Sequence, residues 1–241
     1  MKASSPINVV YNTDDNFVMG LVVSLYSIME NLGNGPRVRA YVIDGGVSDD
    51  NKERVSRSLA FANLEINWLA INAAQAKAFS ALQELPKRWP IVVNYRLLMP
   101  ELLPNADRAI YLDSDTLILG DLLELWCHDL NGKHVGMTRL PGVSSVAGHY
   151  GMKHYDKYGL APATPYFASG VLVADLARWR ADGSVKKLMT FLENFEEIVA
   201  MPDLDALNVV LNGKISELDP NWQVILKGGG VRLRYSLARV G

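Results

Sequence analysis

Two carboxylates stand one residue apart in the run Arg108-Ala-Ile-Tyr-Leu-Asp113-Ser-Asp115. The apolar residues before them read as a buried strand. Side chains alternate along extended chain, so Asp113 and Asp115 are expected on the same side, each with an oxygen for a hard cation. Such a pair at the carboxyl end of a strand is a place to hold a metal diphosphate. The pattern alone is weak, because Asp is common in turns and Asp-x-Asp recurs at Asp203-Leu204-Asp205. The flanks set the first pair apart: a hydrophobic strand precedes it, and Thr116-Leu-Ile-Leu-Gly120 and a short apolar helix through Leu122, Leu123, Leu125 and Trp126 follow.

A second polar group, Asn12-Thr-Asp-Asp-Asn16, follows the apolar run Ile7 to Tyr11, which reads as a first strand. Phe17, Leu21, Leu25, Ile28 or Met29, and Leu32 then recur at helical spacing, with Gly33 placed as a C-terminal cap. Val38 to Ile43 predicts a second strand, and Ser48 with Asp49 and Asp50 a capped helix start. Leu64, Ile66 and Trp68 alternate with polar residues, as in a half-buried strand. A helix is expected over Ala73 to Leu82, broken by Pro86 to Pro90, and another over Asn94 to Leu103 with Arg96 near its start. His134 to Thr138 and Gly170 to Ala174 read as strands. The stretch between them, Arg139 to Tyr166, is long for a structureless loop; such insertions are usually functional or mobile, and this one is expected to approach an acceptor. Asp175 to Trp179 and Ser184 to Phe195 look helical, and Asp203 is placed to cap a last helix running to about Leu211. Strands alternating with helices predict an α/β domain, a mainly parallel sheet covered on both faces, with ligands beyond the strands' carboxyl ends.

With 241 residues, 49% of them hydrophobic, the chain can bury a full core as one domain. The formal charge of -2 argues against a protein built to grip nucleic acid. Cys127 is the only cysteine, which excludes an internal disulfide and a Cys-based zinc cluster. No segment approaches the roughly 20 apolar residues of a membrane span, and the N-terminus lacks the apolar stretch of a signal peptide. A cytoplasmic protein is expected.

Five segments together resemble the family 8 glycosyltransferases, retaining enzymes of the GT-A fold that use nucleotide sugars, among them lipopolysaccharide galactosyltransferases and glycogenin. They are Val9-Val-Tyr-Asn-Thr-Asp-Asp-Asn16, Asn94-Tyr-Arg96-Leu, Tyr111-Leu-Asp-Ser-Asp-Thr116, Tyr166-Phe-Ala-Ser-Gly-Val-Leu172 with Trp179-Arg180, and Pro202-Asp-Leu-Asp-Ala-Leu-Asn208. The resemblance implies a single Rossmann-like GT-A domain over residues 1–226. It also implies that Asn12, Thr13, Asp14 and Asn16 surround the uracil and ribose of a UDP-sugar, and that Asp113 and Asp115, with Ser114 between them, hold Mn²⁺ or Mg²⁺ against the diphosphate. By the same resemblance Arg96 approaches the donor sugar and diphosphate, Gly170 lies at the donor site, and Asp203 hydrogen-bonds donor-sugar hydroxyls. Read locally, the same residues are turn formers, a surface charge on a helix and a helix cap. The implied reaction moves galactose or glucose from a UDP-sugar to a saccharide or glycolipid acceptor of the cell surface. A nucleotidyltransferase of related architecture would open with a Gly-rich phosphate loop, which Asn12 to Asn16 is not.

The chain departs from the family pattern in places. Leu204 stands where Gln is usual, Ala168 where Asn is usual, and Leu140 close to a usual acidic sugar ligand. Three lost polar contacts, at about 1 to 3 kcal/mol each, reduce turnover or select another sugar. The usual C-terminal segment, His-x-x-Gly-x-x-Lys-Pro-Trp, which supplies a third metal ligand, is missing. In its place residues 227–241 carry Lys227, Arg232, Arg234 and Arg239. They read as a flexible basic tail, or as a weak contact to diphosphate or to the anionic inner face of a membrane. The alternative function is therefore an impaired or truncated relative that binds UDP-sugar without efficient transfer.

Overall fold

The computed structural model of the chain describes residues 6–32, 35–79, 82, 90–194, 201–225 and 234–236. Strand β1 (Ile7–Thr13) runs parallel to β2 (Val38–Asp44), which runs parallel to β3 (Leu64–Ala70). On its other side β1 pairs in parallel with β4 (Arg108–Leu112). Strands β6 (Val135–Arg139), β7 (Phe167–Asp175) and β8 (Ile215–Glu217) complete a seven-stranded sheet in the order β3-β2-β1-β4-β7-β6-β8. The sheet is mainly parallel as expected, with one reversed member: β7 is antiparallel to both neighbours. That reversal decides the site, because the start of β7 then lies beside the carboxyl end of β4.

Alternation along β1 builds two layers. Ile7, Val9 and Tyr11 face α1 (Val18–Leu32), meeting Leu21, Leu25 and Ile28. Val10 faces the other way, in the layer with Tyr111, Leu97, Met99 and Trp179. Helix α2 (Asp49–Ser58) starts at Ser48, whose side chain accepts from the Asn51 amide, and buries little beyond Val55. The expected helix from Ala73 is α3 (Ala73–Lys77); the expected cap Gly33, residues 80–81 and most of the Pro86 to Pro90 break lie outside the described residues.

Several local expectations are corrected. Asn12 and Thr13 belong to β1, in register with Ile43 and Asp44, so the polar loop begins at Asp14. The helix carrying Arg96 is a 3-10 helix, Ile91–Leu98, that leads into α4 (Met99–Leu102); Arg96 sits near its end rather than its start. The β-branched Ile91, Val92 and Val93 suit a regular α-helix poorly. Strand β4 stops at Leu112. A turn spans Asp113 to Thr116, closed by the Thr116 amide on the Asp113 carbonyl at 3.0 Å, and β5 (Thr116–Ile118) and α5 (Leu122–Trp126) follow.

The stretch from Arg139 to Tyr166 is neither structureless nor loose. It contains a 3-10 helix, Tyr155–Tyr158, and a small core of its own in which Val146, Met152, Leu160 and Tyr166 pack with Leu204. After β7 come α6 (Leu176–Ala181), capped by Asp175, α7 (Ser184–Asn194) and α8 (Pro202–Val210). Asp203 does not cap α8. Met201 is the N-cap, Pro202 opens the helix, and Asp203 lies within the first turn with its side chain turned to Arg96. Beyond the sheet, β5, β9 (Val224–Ile225) and β10 (Arg234–Ser236) form a second, three-stranded sheet, so part of the expected tail pairs in parallel with β5. The other residues of 227–241 lie outside the described ones.

Candidate active site

An open cleft with about 770 Å³ of empty space lies beyond the carboxyl ends of β1 and β4. Its walls include Asn12, Thr13, Asp14, Arg96, Asp113, Ser114, Asp115 and Asp203, brought together from four separate segments, with Val92, Val93 and Met201 on the apolar side. Asn16 and Gly170 do not line it. Asn16 is exposed beside Asp14, and the Gly170 carbonyl accepts the Asp113 amide at 2.9 Å.

Arg96 is the centre of the arrangement. It is 4% exposed, and its guanidinium lies over the Tyr111 ring, 4.5 Å from the centroid. Nη1 donates to the Ser169 carbonyl at 2.6 Å, Nε to the Val93 carbonyl at 2.7 Å, and Nη2 meets Asp113 Oδ1 at 2.8 Å. Burial opposes the charge, but Asp113, Tyr111 and Asp203 outweigh it and raise the Arg96 pKa. Asp203 Oδ2 approaches Nε at 3.3 Å, yet that N–H is spent on Val93, and this carboxylate oxygen receives no hydrogen bond. Asp203 lines the cleft, and this oxygen of its side chain is left with unused acceptor capacity.

Asn12 has another duty. Its Nδ2 donates to the Val92 carbonyl at 2.8 Å and its Oδ1 accepts from Tyr111, so the amide ties β1 to the 3-10 helix and to β4. Tyr111 Oη also lies 2.9 Å from Asp113 Oδ1, so its one proton is shared between the two acceptors, and burial raises its pKa, keeping it a neutral donor. Asp14 Oδ1 accepts the Asn16 and Phe17 amides at the entry to α1. Gly45 allows the close approach of this wall: a Cβ there would stand 2.4 Å from Val92 Cγ2 and 2.8 Å from the Thr13 carbonyl. Ser114 donates to the Asn12 carbonyl at 2.8 Å.

Three expected departures land elsewhere. Leu204 and Leu140 pack in the small core under residues 140–166, Ala168 is buried in β7, and none of the three lines the cleft. Residues not singled out from sequence hold the site instead. Asn208 exchanges hydrogen bonds with both backbone groups of Phe167 at 2.8 Å, and Asp205 accepts from Tyr166, so α8 grips the start of β7. Asp205 and Asn208 are three apart on a helix, a spacing that marks a shared face. What that face would grip has no sequence signal.

Burial pushes the Asp205 carboxyl up to about 7, against the Tyr166 hydrogen bond that lowers it, while the Asp203 charge adds to the rise. The folded state therefore holds this proton more tightly than the unfolded chain does. Its contribution to stability is full below the unfolded carboxyl pKa and is lost as pH rises toward about 7. Across that window the loss is on the order of 4 kcal/mol, at about 1.4 kcal/mol per pH unit. Asp205→Asn should flatten it: the difference in melting temperature between wild type and variant is expected to change steadily from pH 4 to 7, and a pH-independent difference would refute it.

Comparisons with known proteins bear on the family and the fold. The profile described as Glycosyl transferase family 8 matches residues 8–238. General stress protein A of Bacillus subtilis (strain 168) is 27% identical over 226 residues, 92% of this chain and 75% of that protein. The lipopolysaccharide 1,2-glucosyltransferase of Escherichia coli (strain K12) is 27% identical over 214 residues, 88% of this chain and 60% of that protein. The chain thus spans between three fifths and three quarters of the length of these relatives. Among solved structures, galactosyltransferase LgtC in complex with donor and acceptor sugar analogs superposes with a TM-score of 0.73 at 24% identity, over 89% of this chain and 74% of that one. That likeness shows the GT-A fold.

Proposed function

The chain belongs to glycosyl transferase family 8, and from that premise we propose that it moves galactose or glucose from a UDP-sugar to a saccharide acceptor, with retention, in the synthesis of a cell-surface glycan or glycolipid. Family membership makes it a glycosyltransferase with a sugar donor and an acceptor. One observation carries the rest: among the described residues the cleft sets four carboxyl groups, Asp14, Asp113, Asp115 and Asp203, against one guanidinium, that of Arg96. A diphosphate would be repelled by that surplus of negative charge unless a cation came with it.

Asp113 and Asp115 are the residues to hold Mn²⁺ or Mg²⁺. Among the described residues no three His, Cys, Asp or Glu side chains come together as a metal site. Two carboxylates suffice for an ion that shares its shell with water and phosphate oxygens, and an all-oxygen set fits such an ion. When bound, the ion supplies Lewis-acid neutralisation of charge on the departing diphosphate. Arg96 adds a cation that needs no reorganisation, an interaction worth roughly 3 to 4 kcal/mol of barrier. Asp203, which lines the cleft, accepts a sugar hydroxyl, and its negative charge stabilises the positive charge growing at the anomeric carbon. The acceptor hydroxyl attacks from the face the diphosphate leaves, and the leaving phosphate oxygen takes its proton.

In this reading Lys227, Arg232, Arg234 and Arg239 make weak contact with the anionic inner face of a membrane, where a glycolipid acceptor would lie, and the protein works on the cytoplasmic side. Among the described residues no helix is long and apolar enough to cross a membrane. The test is UDP release from a panel of UDP-sugars with and without Mn²⁺, beside calorimetric UDP binding. Cation-dependent release is expected. Binding without release would favour the impaired relative, and neither would defeat both readings.

A further inference from the structure

The geometry points to one polar face of α1 as a positioning device for the Asp113–Asp115 turn, an inference that rests on the function proposed above for those carboxylates. Gly20, Ser24, Ser27 and Asn31 recur at spacings of four, three and four, so they fall on one side of the helix. That side meets the turn and β5 rather than the apolar core. Ser27 Oγ accepts the Ile118 amide at 2.9 Å, and Asn31 Nδ2 donates to the Ile118 carbonyl at 2.9 Å. Together these two side chains satisfy both backbone groups of Ile118 and fix β5 along the helix.

Ser24 acts closer to the carboxylates. Its hydroxyl lies 2.8 Å from Tyr11 Oη and 3.0 Å from Thr116 Oγ1, and Thr116 Oγ1 donates to the Asp113 carbonyl at 2.8 Å. A carbonyl only accepts, so the Thr116 proton must point to Asp113. Ser24 must then donate to Thr116, and Tyr11 to Ser24. The result is a directed chain of three hydroxyls, from β1 through α1 to the backbone of Asp113, in which each link depends on the one before. Tyr11 and Ser24 are wholly buried and Thr116 nearly so, which shuts these hydroxyls off from bulk solvent. Gly20 completes the face by what it lacks. A Cβ at this position would stand 2.5 Å from the Ser114 carbonyl oxygen, between the two carboxylates. A backbone atom cannot swing aside as a side-chain tip can.

Three variants and a control decide the matter. Ser24→Ala and Thr116→Val cut the hydroxyl chain, and Gly20→Ala presses on Ser114. Leu188→Ala lowers stability from the opposite layer without touching the turn. Mn²⁺ affinity is read by electron paramagnetic resonance of the free ion, and hydrogen exchange of residues 113–118 is read by mass spectrometry. The three variants are expected to bind Mn²⁺ about tenfold more weakly and to exchange about tenfold faster in the turn, through loss of one buried hydrogen bond in the first two and displacement of the Ser114 backbone in the third. Thr116→Ser should restore both, and Leu188→Ala should change neither at matched stability. Gly20→Ala is the sharpest case, since alanine is the better helix former and a merely helical role predicts gain. The inference is overturned if the variants match Leu188→Ala in both readouts. Wild-type protein that took up no Mn²⁺ would instead defeat the cation reading of the function, and the exchange comparison would then decide the positioning role alone.

Discussion

Arg96→Met is expected to lower turnover by roughly a hundredfold to a thousandfold and to destabilise the fold at the same time. The lost electrostatic interaction at the diphosphate accounts for roughly 3 to 4 kcal/mol of barrier. The fold suffers because Asp113 and Asp203, with side chains 15% and 7% exposed, lose the cation between them. Breaking a buried pair from one side typically costs about 3 to 5 kcal/mol. The Ser169 and Val93 carbonyls lose their donors as well. Arg96→Lys keeps the charge but not the fork, since one ammonium cannot reach two carbonyls and a carboxylate in a plane. It should recover much of the stability and little of the rate. Steady-state kinetics with denaturant unfolding separates the two effects. A Met variant turning over within tenfold of wild type would remove Arg96 from the chemistry.

Leu204→Gln is the second large effect, and its sign is the opposite of what a family pattern suggests. From sequence alone, glutamine at this position reads as restoring a sugar contact. In the structure Leu204 is 3% exposed and sits among Val146, Met152, Leu160 and Tyr166. An amide there forfeits about 1.5 to 3 kcal/mol of apolar burial and leaves polar atoms unpaired for about 1 to 3 kcal/mol more. A loss of about 3 to 5 kcal/mol and faster proteolysis within residues 140–166 are expected, without a gain in turnover. A stable, more active variant would mean that the side chain at 204 reaches the cleft and that this small core is dispensable.

The role of residues 140–166 changes accordingly. They form a packed insert rather than a mobile arm, fastened to α8 by Leu204 and by the Tyr166–Asp205 hydrogen bond. Met201, which packs against the same small core, also lines the cleft. The insert therefore shares a wall with the cleft, and anything that loosens it is felt at Asp203, two residues along.

Period-two and period-3.6 patterning made six strands of the main sheet and most of the helices readable from sequence, because burial of one face imposes those spacings on the residues themselves, whereas the short β5, β8, β9 and β10 carry too few residues to show a period. The five motifs likewise carried the family and most of the cleft: Asn12, Thr13, Asp14, Arg96, Ser114, Asp203 and the acidic pair all converge. Contacts between distant segments were not readable. Nothing local says that β7 runs backwards and sets the Ser169 carbonyl on Arg96, that Asn12 spends its amide on Val92 and Tyr111, or that Leu204 faces a separate core. Nor does a glycine in an apolar helix announce the carbonyl pressed against it. Spacing along the chain encodes which face a residue occupies, whereas its partner depends on which segments fold together, and only packing in three dimensions supplies that.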